Sequence, residues 1–281
     1  MIDAHHHVWQ IGQHDCTWPT PDDKPLYRDF GMDDVVPLAK AVGVQGSVLV
    51  QSQASDRDTD YLLALAERHD FVLAVVGWAD LAAGSAPQRI AQLAQHKKMR
   101  GLRPMLQGLA DDRWILQPQL APAVQVMQEH KLSFDALIFP RHLPHIYQFA
   151  CNWPDLPLVI DHAAKPPIAQ DDKKAFSTWC EGMARLAELP WVYCKLSGLL
   201  TEANAAQGAD ALRPYVEQVF HVFGAQRVIW GSDWPVVYAA PNHAYADYRA
   251  WFELAHQLIP GQNASVIRQV FSENARAFYR L

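Results

Sequence analysis

The chain opens on MIDAHHHVWQ (residues 1–10), a short apolar run that ends in three consecutive histidines. Read as a β-strand, it sends side chains two apart to the same face, so His5 and His7 point together and His6 points away. By the same alternation Asp3 shares their face one layer lower, where it could orient the imidazoles through hydrogen bonds. A tag remnant does not fit, because the histidines follow Ile-Asp-Ala and continue an apolar strand pattern.

The same plan recurs down the chain. GSVLVQSQ (46–53), FVLAVVGW (71–78), MRGLRPML (99–106), LSFDALIF (132–139), LPLVIDH (156–162), WVYCKLS (191–197) and RVIWGSD (227–233) bring the runs to eight. Between them lie segments with helical period, such as TDYLLALAERH and PQLAPAVQVMQEH. Eight strand–helix units predict parallel strands joined by crossover helices. Near-continuous apolar strands suit a parallel sheet covered on both faces. A (β/α)8 TIM-type barrel occupying residues 1–281 as a single domain is therefore expected. An open doubly wound sheet is the runner-up, weakened by the absence of a GxGxxG turn after the first run. Gln10 to Gly31, rich in Pro, Asp and aromatics, predicts a long loop over the active-site end. YADYRAWFELAHQL and ASVIRQVFSENARAFY predict helices beyond the last strand, one of them extra to the barrel.

Composition narrows the partners. Half of the 281 residues are hydrophobic and 19% are charged, which suits a large core. A net charge of −6 offers no basic face for nucleic acid. No apolar run approaches the roughly 18 residues that span a bilayer. The N-terminus lacks the basic and apolar regions of a signal peptide. The four cysteines, Cys16, Cys151, Cys180 and Cys194, form no CxxC pair. Reduced thiols in a cytoplasmic protein are the expectation.

In a barrel the chemistry sits at the carboxyl ends of the strands. The runs end in His5-His6-His7, near Gln51 and Gln53, at Trp78, and with Arg103 on the fourth. The fifth is followed by Arg141 and His142. The sixth ends in Asp161-His162 with Lys165 beyond, the seventh carries Lys195 and Ser197, and the eighth ends in Ser232-Asp233. An HxH on the first strand, a histidine on the sixth and an aspartate on the eighth form one candidate site. Two or three imidazoles and a carboxylate suit one divalent ion such as Zn²⁺. The same aspartate could take a proton from water as a general base.

IDAHHHVW, GLRPMLQ, VIDHAAKPP, CKLSGL and IWGSDWPV, in this order, resemble the amidohydrolase-2 branch of the amidohydrolase superfamily over essentially the whole chain. Within it the chain is most similar to sugar lactonases acting on L-fucono- and L-rhamnonolactones. The resemblance implies a (β/α)8 barrel with His5, His7, His162 and Asp233 in the central constellation, Asp233 activating water. A two-metal centre is not implied, because LSFDALIF carries no histidine at its end. The branch also includes lactonases that need no metal, so the four residues could hold one Zn²⁺ or act alone as hydrogen-bond donors and base.

The expected reaction is hydrolysis of a sugar lactone (L-fucono, L-rhamnono or L-galactono type) to the aldonic acid, in a monomer or homodimer. Arg103, Lys165, Arg141 and His142 are placed to hold hydroxyls or a carboxylate of the substrate, and Gln53, Trp78, Lys195 and Ser197 are further candidates. A Zn²⁺-dependent decarboxylase or amide hydrolase acting on a small carboxylic acid is the alternative. A binding protein without turnover is a third reading.

Overall fold

The computed structural model describes residues 1–261 and 263–281. Each apolar run contributes one parallel strand, and the eight strands join in chain order into one sheet. They are β1 (Ile2–His6), β2 (Gly46–Val50), β3 (Val72–Gly77), β4 (Met99–Leu102), β5 (Ser133–Ala136), β6 (Leu158–Ile160), β7 (Val192–Leu196) and β8 (Val228–Trp230). The crossover helices are α1 (Met32–Ala41), α2 (Asp56–Arg68), α3 (Ala86–Leu93), α4 (Ala121–Glu129), α5 (Leu143–Asn152), α6 (Lys173–Ala187) and α7 (Ala209–Phe223). After β8 come α8 (Tyr248–Leu258), then α9 (Ala264–Arg268) and α10 (Asn274–Tyr279), joined by a π-helical turn.

Local chemistry sets where helices begin. The Ser55 hydroxyl accepts from the backbone N–H groups of Arg57 and Asp58 at the start of α2, and the Asp172 carboxylate does the same for Lys174 and Ala175 in α6. Such caps satisfy N–H groups that have no partner inside the helix, each worth about 1 kcal/mol.

Two apolar layers hold the sheet in place. Leu49, Leu102, Phe134, Leu158 and Trp230 face outward into the layer between strands and helices. Ile2, Ala4, Val48, Val50, Ala74, Val76, Val159 and Ile229 form a second cluster with Ala275, Phe278 and Tyr279. The last helix thus plugs the lower mouth of the barrel. The opposite, carboxyl end is left for polar side chains.

The seam between β8 and β1 positions the chemistry. The Asp233 N–H donates to the His5 carbonyl at 2.8 Å, and the His7 N–H donates to the Trp234 carbonyl at 2.7 Å. β1 carries a bulge between Asp3 and His6. Strict alternation places Asp3 on the face of His5, but the bulge reverses it, as Ile2 and Ala4 face the lumen. Asp3 turns outward and accepts from the Tyr248 hydroxyl at 3.0 Å, the Ser232 N–H at 2.9 Å and the His5 N–H at 3.2 Å. It fixes backbone at the seam and does not touch an imidazole. His6 also turns out, with Nε2 2.8 Å from the Ser47 hydroxyl, while burial pushes its pKa down to about 3.

The long loop is ordered. Trp9 and Phe30 exchange two backbone hydrogen bonds of 3.0 Å across it, and the Trp9 indole N–H donates to the Arg28 carbonyl. No helix among the described residues is long and apolar enough to cross a membrane.

Gly231 makes the seam possible, because a Cβ there would stand 2.5 Å from the Cβ of His5. Gly231→Ala should force β8 away from β1 and lower the unfolding free energy in urea titration by about 1–3 kcal/mol. An unchanged midpoint would show that the seam tolerates the extra carbon.

Candidate active site

At the centre of the barrel lies Lys195, fully buried. Its ammonium donates to Asp135 Oδ2 at 2.6 Å, stands 2.9 Å from Asp161 Oδ1 and reaches His5 Nδ1 at 3.1 Å. The Tyr279 hydroxyl of the plugging helix also donates to Asp135. Buried charges persist only when paired, and this group pairs one cation with two carboxylates. Arg103 adds a second cation, with Nη1 3.4 Å from Asp161 Oδ2 and 3.3 Å from His5 Nε2. Its Nη2 donates to the Gln51 carbonyl, and the Gln51 amide donates back to the Arg103 carbonyl.

His5 therefore has a cationic group beside each ring nitrogen, and a neutral ring accepts at only one of them. Burial, then the Lys195 charge, push its pKa well below the ordinary imidazole value, so the ring is neutral. Burial alone would raise the Asp161 carboxyl, but Lys195, His5 and Arg103 hold it well below the usual carboxylate range.

Above this floor stand three more groups. His7 Nδ1 lies 2.8 Å from the Val50 carbonyl, which can only accept, so Nδ1 carries a proton and Nε2 is turned toward Asp233. His162 Nδ1 lies 2.9 Å from the Ser197 hydroxyl, and burial pushes its pKa down to about 4. Asp233 Oδ1 lies 3.4 Å from His7 Nε2, 3.7 Å from His5 Nε2 and 3.9 Å from His162 Nε2. Burial would raise its pKa, yet the imidazoles of His162, His7 and His5 gathered around it hold it low.

The backbone that presents these side chains is strained. His162, Ala163, Ala164 and Lys165 all have φ between 49° and 61°, and Asp233 has φ 55°. Left-handed backbone costs a non-glycine residue roughly 1–2 kcal/mol, and runs of it concentrate at functional sites. Gly198, at φ 63°, sits against the His162 ring, where a Cβ would come within 2.4 Å of Nδ1.

A cavity of about 280 Å³ opens over His7, His162 and Asp233, with Trp18, Arg103 and Lys165 also in its walls and His5 beneath it. A larger groove of about 740 Å³ beside it shares only Lys165. The titratable cluster belongs to the smaller space.

Other residues singled out in the sequence lie elsewhere. Gln53 spends its side chain on the long loop: Oε1 accepts from the Thr17 and Trp18 N–H groups, and Nε2 donates to the Trp18 carbonyl at 2.7 Å. It reaches the cavity through Trp18 and through Ser52, whose hydroxyl accepts from Nε2 at 3.1 Å. Ser197 acts on His162 and Lys195 on His5, both from below. Arg141 donates to Asp112 at 2.8 Å on the surface, and His142 Nε2 lies 3.1 Å from the same carboxylate. Trp78 is half-buried outside the cavity lining, its backbone N–H and carbonyl both bonded to the Thr59 hydroxyl. Asp135, Trp18, Met105 and Gln107 carry no mark in the strand pattern, and Asp161 is marked there only as the residue that ends the sixth run beside His162. The signal for Asp135 is a lone acid inside LSFDALIF, which needs a buried partner.

The donor set fits one divalent ion. Nitrogen ligands of tetrahedral Zn²⁺ lie about 2.0–2.1 Å from the metal and hence about 3.3 Å apart. His5 Nε2 and His7 Nε2 are 3.2 Å apart, and the donor atoms of His5, His7 and Asp233 lie within 4.8 Å of one another. The Val50 carbonyl behind His7 is the outer partner expected of a ligating imidazole.

The family model for amidohydrolases matches residues 2–281. The chain belongs to the amidohydrolase family. A curated relative named L-fucono-1,5-lactonase, from Burkholderia ambifaria, is 49% identical, with all of this chain and 95% of that one covered. A protein of the same name from Burkholderia multivorans is 38% identical over 86% of this chain and 84% of its own. A crystal structure of a Burkholderia multivorans amidohydrolase with bound zinc superposes with a TM-score of 0.92 at 33% identity, covering 100% of this chain and 99% of that one.

Removal of the hydroxyl behind His162 tests the geometry. Ser197→Ala should lower kcat/KM about 10- to 100-fold with an unchanged melting temperature. Full activity would show that His162 is held by other contacts.

Proposed function

We propose that the chain hydrolyses a sugar 1,5-lactone of the L-fucono type to its aldonic acid, with Asp233 as the base that activates water. The observation that carries this reading is the Asp233 carboxylate gathered with the imidazoles of His5, His7 and His162 beneath a cavity of about 280 Å³. The whole-length likeness to curated lactonases supports the substrate class.

A lactone is an activated ester, so its opening asks for a nucleophilic water, a grip on the carbonyl oxygen and a proton for the leaving oxygen. Asp233 takes the water proton as the oxygen bonds to the carbonyl carbon. As the ring C–O bond breaks, the same carboxyl returns that proton to the ring oxygen, which leaves as a hydroxyl. Arg103, cationic and lining the cavity beside His5, and His162 bear on the carbonyl oxygen as it gains charge. Each preorganised donor of this kind is worth on the order of 3 kcal/mol of barrier. Lys165 holds substrate hydroxyls at the rim. In this reading Lys195, Ser197 and Gln53 work through His5, His162 and Trp18.

One Zn²⁺ held by His5, His7, His162 and Asp233 would supply Lewis-acid polarisation of the carbonyl. Decarboxylation or amide hydrolysis of a small acid is not favoured, given the extent of the lactonase likeness. The reading includes a cytoplasmic setting, which suits four free cysteines.

A panel of aldonolactones tests it, with metal analysis of the same protein. Acid release should be fastest from L-fucono-1,5-lactone and its near stereoisomers, and Asp233→Asn should lower kcat by about 10²- to 10⁴-fold while lactone binding persists. No acid from any lactone, or an undiminished Asp233→Asn variant, would overturn the proposal.

A further inference from the structure

Glu202 lies in the turn after β7, on the ridge between the catalytic cavity and the larger groove. Lys165 lines both spaces and Glu202 lines the groove, with 3.5 Å between Lys165 Nζ and Glu202 Oε1. Their side chains are only 20% and 19% exposed, so both have been taken largely out of water.

The protein leaves their hydrogen-bonding capacity largely unused. A carboxylate offers about four acceptor positions and an ammonium three donors. Glu202 receives the long contact from Lys165 and a 3.5 Å hydrogen bond from the Thr201 hydroxyl. Both fall on Oε1, and Oε2 has no hydrogen bond among the described residues. Among the described residues Lys165 Nζ has no closer ionic partner than Glu202, and the Phe139 ring centroid is 5.6 Å away. Burial pushes the Glu202 carboxyl up in spite of Lys165. A partly buried pair with unused donors and acceptors is placed to take a polar group of a ligand in place of the water at the rim. The left-handed run from His162 to Lys165 also spends backbone strain to hold Lys165 here.

We propose that Lys165 and Glu202 form a donor–acceptor pair that reads a ring hydroxyl of the lactone on the side away from the scissile carbonyl, making Glu202 a specificity-determining residue. The inference rests on the lactonase reading. With the carbonyl against His162 and Asp233, the rest of the ring extends toward the rim where Lys165 stands. A sugar hydroxyl both donates and accepts, so one such group completes both partners: its O–H donates to Glu202 and its oxygen accepts from Lys165. Apolar or hydroxyl-free lactones leave the pair incomplete.

The experiment crosses variants with substrates. L-fucono-1,5-lactone and its 2-, 3- and 4-deoxy analogues are assayed with the unaltered chain, Glu202→Gln and Lys165→Met. Glu202→Gln should lower kcat/KM on the parent lactone about 10- to 100-fold, chiefly through KM, because a hydrogen bond to a charged group is lost. The penalty should vanish on the one deoxy lactone that lacks the hydroxyl being read, and Lys165→Met should single out the same analogue. Equal losses on all four lactones, no loss on any, or losses that follow a lowered melting temperature would overturn the assignment. Turnover by the unaltered chain separates the two readings. If it hydrolyses none of these lactones, the lactonase reading falls and this one with it; if it does so with uniform variant losses, only the Glu202 assignment falls.

Discussion

The rest of the site depends on one ammonium group. Lys195 stands inside the barrel with Asp135, Asp161 and His5 around it. Without it Asp135 would lose its cation and Asp161 would keep only Arg103, a loss of about 3–5 kcal/mol by the usual measure of a broken buried pair. With it, His5 is fixed from below and kept neutral, so its Nε2 meets His7 and Asp233 in a defined direction. Tyr279 ties the same cluster to the helix that plugs the barrel. Stability of the lower mouth and geometry of the upper one are thus linked through one hydrogen-bonded chain.

The upper mouth is assembled from irregular backbone. The bulge in β1 lets Asp3 leave the lumen to hold the β1–β8 seam while His5 and His7 still turn inward. That seam carries Asp233 to the imidazoles through the His5 carbonyl. The left-handed run after β6 brings His162 over Ser197, and Gly198 leaves room for its ring. These departures from regular geometry are sustained by the two apolar layers of the barrel, which are regular. Gln53 adds the long loop by clamping Trp18, which lines the cavity.

Much of this was legible in the sequence. The eight runs, their helices, the long loop and the extra C-terminal helix follow from period, and the residues that end the runs led to His5, His7, His162 and Asp233. What was hidden depends on depth and on contacts far apart in the chain. Lys195 precedes its strand end by one layer, so it lies beneath the imidazoles. Gln53 finds its partner 35 residues away, and Arg141 and His142 find theirs at Asp112, which no local pattern announces. Asp135 looked like an interruption of an apolar strand, and Asp161 was overshadowed by its neighbour His162. The bulge in β1 defeats the alternation that placed Asp3. Glu202 lies in a short turn with no period.

The most direct measurement concerns Lys195. Lys195→Met alone should destabilise the protein by about 3–5 kcal/mol in denaturant titration. Pairing it with Asp135→Asn removes one uncompensated charge and should recover much of that stability, while kcat stays low because His5 has lost the group that holds it. Recovery of kcat together with stability in the double variant would contradict the account, since Lys195 would then serve the fold without setting the site.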